Sequence, residues 1–111
     1  MKRAALISFD ICSAKFESNS ERNRFFRGLY GWNQRVRSGG KVYEYRREGL
    51  LDTIPHIKVD DSVFIVAQKA LDEVMEYFEK WREKVNYKLL HVIVSDRLLE
   101  EKKRWREIKI R

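Results

Sequence analysis

Apolar and polar positions alternate along this chain with two different periods, and the switches between them outline its elements. Residues 4–11 read Ala-Ala-Leu-Ile-Ser-Phe-Asp-Ile. A period of two puts Ala5, Ile7, Phe9 and Ile11 on one face and Leu6, Ser8 and Asp10 on the other, as in a buried strand. Ser18-Asn19-Ser20-Glu21 has the spacing of a capping box, a hydroxyl followed three residues on by a carboxylate. A helix is therefore predicted to follow, to about Tyr30. Phe25, Phe26, Leu29 and Tyr30 would turn inward, with Arg22, Arg24 and Arg27 toward solvent. Gly31 supplies its stop.

Residues 32–48 change period again and predict a β-hairpin. Gly39-Gly40 suits its tight turn, because both positions can take φ > 0. On the second arm Val42, Glu44 and Arg46 alternate with Tyr43, Tyr45 and Arg47. An arm this polar on both faces suits a protruding ribbon that carries Arg and Tyr to a ligand. The segment Asp52 to Asp61 holds the only proline, Pro55, and reads as a connection. Ser62 to Ala67 is a second buried strand. Residues 68–85 predict the clearest helix, with Leu71, Val74, Met75, Phe78, Trp81 and Val85 recurring at three-to-four spacing. Its acidic outer face keeps that helix away from phosphates. Residues 87–94 predict a third strand. Ser95-Asp96 offers an N-cap for a short helix to about Arg104. The alternating tail from Arg106 to Arg111 reads as a last strand, a candidate for pairing across a dimer.

This order is close to β-α-β-β-α-β, the ferredoxin-like split βαβ unit. The expected fold is α+β, an antiparallel sheet with both helices on one face. It forms one domain over residues 1–111, with a protruding basic hairpin at about 32–48 between the first helix and the second core strand pair. A C-terminal tail begins at about 96.

Composition narrows the class. The chain has 111 residues, 43% of them hydrophobic, enough for a modest core. No apolar run approaches the roughly 20 residues of a membrane span. The opening Met1 to Ile7 is basic and then apolar, but Ser8 and Asp10 interrupt it, so no secretory signal is expected. One cysteine, Cys12, allows no internal disulfide and no cysteine zinc site. A cytoplasmic location is the default expectation. The 37% charged content, with little Gln and Asn, is compatible with a thermophilic source.

Charge changes the picture most. The stretch from Arg22 to Arg47 holds Arg22, Arg24, Arg27, Arg35, Arg37, Lys41, Arg46 and Arg47 against one acid, Glu44, so it alone carries the +7 of the whole chain. Tyr30, Trp32, Tyr43 and Tyr45 are interleaved with these bases. Arginine pairs bidentately with phosphate and stacks on bases. A basic patch with aromatic neighbours is the footprint of nucleic-acid binding, DNA or RNA. The plainer alternative is a solvated basic surface.

Chemistry has fewer candidates. Asp10 is a carboxylate near the C-terminal end of an apolar strand. Mg²⁺ is held by one or two such carboxylates with water and phosphate oxygens, and a second Asp10 from a dimer mate would complete a pair. The alternative is that Asp10 caps the following turn or pairs with an arginine. Asp60-Asp61 reads as a solvated turn, or as further carboxylates for a metal at Asp10 if the fold brings them close, His91 as a hydrogen-bonded core or sheet residue, and His56 as a loop residue after Pro55. Cys12 has no Cys-His constellation and reads as an inert thiol. No histidine spacing or glycine-rich loop matches a zinc, nuclease or nucleotide motif.

The strand Ile7-Ser8-Phe9-Asp10-Ile11, the Arg-bearing helix ending Leu29-Tyr30-Gly31, and Ser62-Val63-Phe64 before the second helix together resemble the small CRISPR-associated adaptation proteins. The first strand is also similar to the opening of the virulence-associated protein D ribonucleases. The chain differs in its longer stretch from Trp32 to Asp61, and in Asp60-Asp61 where a Gln-Tyr pair precedes the Ser-Val-Phe motif. The resemblance implies a ferredoxin-like homodimer. It implies that Asp10 faces its counterpart to hold Mg²⁺ for phosphodiester cleavage, although some members of the group act only as nucleic-acid-binding scaffolds.

Three functions follow as expectations. The first is a dimeric nucleic-acid-binding protein with Mg²⁺-dependent endonuclease activity. Arg24, Arg27, Arg35, Arg37, Lys41, Arg46 and Arg47 would hold phosphates, Tyr43, Tyr45 or Trp32 would stack on bases or pack the ribbon, and Asp10 would be the metal ligand and catalytic residue. The second is the same module without catalysis. The third is a protein-interaction module whose basic hairpin docks on an acidic partner.

Overall fold

The structure, a computed structural model that describes residues 1–95, realises the alternation of residues 4–11 as a long strand. In chain order its elements are β1 (Lys2–Ile11), α1 (Asn19–Tyr30), β2 (Trp32–Ser38), β3 (Lys41–Arg47), β4 (His56–Asp60), β5 (Val63–Ala67), α2 (Leu71–Lys80) and β6 (Val85–Val94). This is a mixed α+β arrangement. β1 pairs antiparallel with β5 on one side and β6 on the other, and β4 pairs antiparallel with β5, giving the order β4-β5-β1-β6. β2 and β3 form a separate two-stranded sheet. The predicted helix and terminal strand after Ser95 lie outside the described residues.

The core follows the period-two reading of β1. Ala5, Ile7 and Phe9 are buried, while Asp10 is exposed. Phe9 lies at the centre of an aromatic cluster. Its ring centroid is 5.6 Å from that of Phe25 on α1, 5.5 Å from that of Phe78 on α2 and 6.3 Å from that of Phe64 on β5, all in edge-on contacts. Such geometry sets the positive edge of one ring against the negative face of the next. Leu29, Val66 and Val74 complete this side without any exposed surface. On the other side of the sheet, Ala4 and Ala67 pack with Ile57, Ile65, Val92 and Val94.

Both ends of α1 use the predicted signals. The Ser18 hydroxyl accepts from the Glu21 N–H at 3.2 Å, and the Glu21 carboxylate accepts from the Glu17 N–H at 3.0 Å, one residue before the cap. Gly31 closes the helix at φ 76°, and its N–H donates to the Arg27 carbonyl. A left-handed φ of this kind is a glycine conformation.

Three boundaries depart from the sequence expectation. The segment Asp52 to Asp61 is not merely a connection, because its second half is β4, with Ile57 opposite Ile65 and His56 opposite Val66. His56 is accordingly a strand residue rather than a loop residue, half-buried, with Nδ1 3.0 Å from the Ile54 carbonyl. The second helix spans Leu71–Lys80 rather than 68–85. It is preceded by a 3-10 turn at Gln68–Ala70, and the chain reverses after Trp81 so that Val85 opens β6 opposite Ile11. His91, expected in the core or the sheet, is an exposed sheet residue on β6.

The turn after α2 is tied back to α1. The Lys84 ammonium donates to the Glu21 carboxylate at 2.5 Å, with both side chains mostly buried. This bond, then the Glu17 N–H, holds the Glu21 carboxyl below its ordinary value of 4.5, against the opposing effect of burial. A depressed carboxyl stabilises the fold above its unfolded pKa, and that contribution is lost as pH falls through the folded value. The urea midpoint of the native chain should therefore fall on acidification below about pH 4.5. Glu21→Gln should start lower at pH 7 and converge on the native chain in acid. A gap that stays constant from neutral to acidic pH would refute this role.

Candidate functional site

The basic stretch of the sequence divides in space into a clasp and a ribbon. β2 and β3 run antiparallel in a register that pairs Trp32 with Arg47, Gln34 with Tyr45, Val36 with Tyr43 and Ser38 with Lys41. Gly39 and Gly40 make the turn at φ 59° and 77°, the positive pair of a tight hairpin turn. Beyond Gln34 the first strand is exposed throughout, and the whole of β3 is exposed, so this sheet contributes nothing to the core.

Because directly paired residues share a face, the register sorts the ribbon into two surfaces. One carries Trp32, Gln34, Val36 and Ser38 beside Arg47, Tyr45, Tyr43 and Lys41. The other carries Asn33, Arg35 and Arg37 beside Arg46, Glu44 and Val42. The ribbon's one acid, Glu44, is on the second surface, where it accepts from Arg35 Nε at 2.9 Å.

Arg46 is drawn into the clasp that seats the ribbon on the body. Its Nη2 donates to Asp52 Oδ2 at 2.7 Å and to the Tyr30 carbonyl at 2.8 Å, while the same Asp52 oxygen accepts from the Gly49 N–H at 2.9 Å. The Asp52 side chain is only 5% exposed. Gly49 lies so close to the end of α1 that a Cβ there would fall 2.2 Å from the Gly31 nitrogen. Asp52 and Gly49 were not marked by charge pattern. The one local signal is the three-residue spacing from Gly49 to Asp52, which closes the short 3-10 turn Leu50–Thr53.

The remaining bases of the stretch sit at the surface. Arg27 stacks over the Trp32 ring at 4.0 Å, joining the last turn of α1 to the base of the ribbon. Arg24, one turn earlier on α1, is exposed on the same side of the helix. Arg47 crosses its own face, donating from Nε to Gln34 Oε1 at 2.7 Å with its guanidinium carbon 5.6 Å from the Tyr45 ring centroid. Arg37 and Lys41 make no ion pair among the described residues. The structure therefore brings Arg27, Lys41, Tyr43, Tyr45 and Arg47 to one side of the ribbon and Arg35, Arg37 and Arg46 to the other.

Asp10 belongs to the main sheet rather than the ribbon, on the face of β1 opposite the helices and directly across from Asn86. It is exposed. It does not cap the following 3-10 turn at Ser13–Lys15, and it makes no ion pair with a described residue. The Asn86 amide instead donates to the Cys12 sulfur at 3.6 Å. Asp60 ends β4 and Asp61 opens the turn that follows, with the Asp60 carboxylate accepting from the Asp61 N–H at 2.8 Å and Asp61 3.6 Å from Lys58. Among the described residues no three His, Cys, Asp or Glu side chains group closely enough to hold a metal. Nor is any helix there long and apolar enough to cross a membrane.

Nearby, the Tyr30 hydroxyl donates to the Asp61 carbonyl at 2.6 Å, and the Lys58 ammonium stands 4.4 Å from its ring centroid. Burial pushes the Tyr30 hydroxyl far above its ordinary pKa, so it stays a neutral donor that fixes the β4–β5 turn to α1.

No protein-family model, curated protein or solved structure matches this chain.

Proposed function

We propose that this protein binds nucleic acid through the β2–β3 ribbon and the adjoining last turns of α1. The observation that carries the reading is a solvent-exposed ribbon face with Lys41, Arg47, Tyr43 and Tyr45 and no acid, continued by Arg27 on α1. Cations with phosphate-matching geometry supply affinity, and release of counterions makes that affinity fall steeply with salt. Neither the core nor the clasp accounts for the two tyrosines, which lie on the exposed strand.

The same reading takes β1-α1-β4-β5-α2-β6 as a ferredoxin-like unit with the ribbon inserted between α1 and β4. The antiparallel order β4-β5-β1-β6 supports it, as does the contact of Phe9 with rings from both helices. In the CRISPR-associated type of assembly such units pair as homodimers. Asp10 would then hold Mg²⁺ together with its counterpart from a second copy. An exposed carboxylate free of ion pairs among the described residues fits half of such a site, since Mg²⁺ takes one or two carboxylates and keeps its waters. The bound ion would supply charge stabilisation at a phosphodiester, and binding through the ribbon stands with or without that step.

The test is fluorescence anisotropy with labelled DNA and RNA, titrated with salt. The triple variant Arg24→Glu/Lys41→Glu/Arg47→Glu, confined to the tyrosine face and the adjoining helix, should weaken binding by about 10- to 100-fold and flatten the salt slope. Its urea midpoint should stay near the native value, because all three side chains are exposed. Native-like binding by this variant would defeat the proposal. Cleavage is read on gels of the same mixtures, where any Mg²⁺-dependent product should vanish in Asp10→Ala while binding persists.

A further inference from the structure

We infer that the ribbon prefers single-stranded nucleic acid, taking unpaired bases on the Tyr43–Tyr45 face. The inference rests on the reading of the ribbon as a nucleic-acid interface and adds the class of ligand. Tyr43 and Tyr45 are two residues apart on β3, hence on the same face, and are 44% and 47% exposed. Same-face neighbours on an antiparallel strand stand about 6.8 Å apart, twice the roughly 3.4 Å spacing of stacked bases, so one base fits between them. Side chains on a strand stand roughly perpendicular to the sheet, which directs both rings outward.

The surroundings complete the platform. Val36, directly across from Tyr43 on β2, adds an exposed apolar side chain to the same face. Lys41 stands at the tip and Arg47 at the base, so cations flank the rings along the strand direction. Glu44 points to the other surface, away from any phosphate that follows this track. Trp32 is different: its ring is already covered by Arg27, and it closes the platform at the body rather than offering a free face.

A duplex cannot use such a surface fully, because its base faces are already stacked on one another. It would meet only the cations. An unpaired strand can place bases on the rings and its backbone along Lys41 and Arg47, and base–aromatic stacking is tolerant of sequence. The prediction is therefore strand-state selectivity without strong sequence selectivity.

The test compares labelled strands of about 12 nucleotides with blunt duplexes of the same sequence, at about 0.1 M salt, RNA and DNA being separate probes. The native chain should bind single strands at least tenfold more tightly than duplexes. Tyr43→Val/Tyr45→Val keeps strand propensity but removes the rings, and should lose single-strand affinity on the order of 30-fold while duplex affinity stays within a few-fold. Tyr43→Phe/Tyr45→Phe keeps the rings and should bind like the native chain, separating stacking from loss of fold. Equal affinity for strands and duplexes, or native single-strand binding by the valine variant, overturns this inference and leaves the ribbon reading intact. Absence of salt-sensitive binding to every probe overturns both.

Discussion

Phe9→Ala is expected to destabilise the protein by about 3–5 kcal/mol, the range for removing a large aromatic side chain from a packed core. The effect should be at the upper end. Phe9 is 2% exposed and touches rings from both helices and from β5, so no single element can move inward to fill the space. Two losses add together there, the transfer of the ring from water and the edge-to-face contacts that no neighbour replaces. In urea titration the midpoint should drop sharply with little change in slope. Phe9→Leu, which restores most of the volume, should recover more than half of the loss. A native-like midpoint for Phe9→Ala would mean that the helices are not both packed on this part of β1.

Phe9 also shows what a sequence of this kind discloses. Strict alternation in β1 and the capping signals of α1 are local, and the structure keeps them. The turn at Gly39-Gly40 is local as well, because its backbone demand is met by two adjacent residues. The expectations that moved are those where tertiary contact decides. β4 has only Ile57 and Val59 as apolar residues in five and carries a register shift between Lys58 and Asp60, so its period is too short to announce itself beside Pro55. The helical spacing of Leu71, Val74 and Phe78 continues through Trp81 and Val85, but Val85 instead pairs with Ile11. Identical periodicity served two different elements.

The candidate site was legible as a region rather than as an arrangement. Charge located the stretch from Arg22 to Arg47, but charge cannot say which arginine faces what. Arg46 and Arg47 are adjacent in sequence and point to opposite sides of a strand, one into the clasp with Asp52 and the other across the tyrosine face. The pairing register alone separates them. Asp10 is the reverse case. Its place at the strand end was evident from the alternation, and the structure adds that no turn or arginine among the described residues engages it.

The second large effect belongs to the clasp. Asp52→Ala should lower stability by about 3 kcal/mol, the lower end for removing one partner of a buried ion pair. One oxygen of Asp52 serves both the Arg46 guanidinium and the Gly49 N–H, so its removal strands a charge and a backbone donor together. The loss stays near the lower end because the Arg46 side chain is 37% exposed and regains some water. Asp52→Asn keeps an acceptor without the charge and should fall between the two. The ribbon's own strands are paired independently of Asp52, so hydrogen exchange should report faster opening first at Gly31, Gly49 and the end of α1, with the β2–β3 ladder less affected. Binding should weaken only mildly, since the tyrosine face and its cations remain exposed. A loss of binding in Asp52→Ala as large as that of the triple charge variant would mean that the angle between ribbon and body, rather than the ribbon face alone, is what the ligand reads.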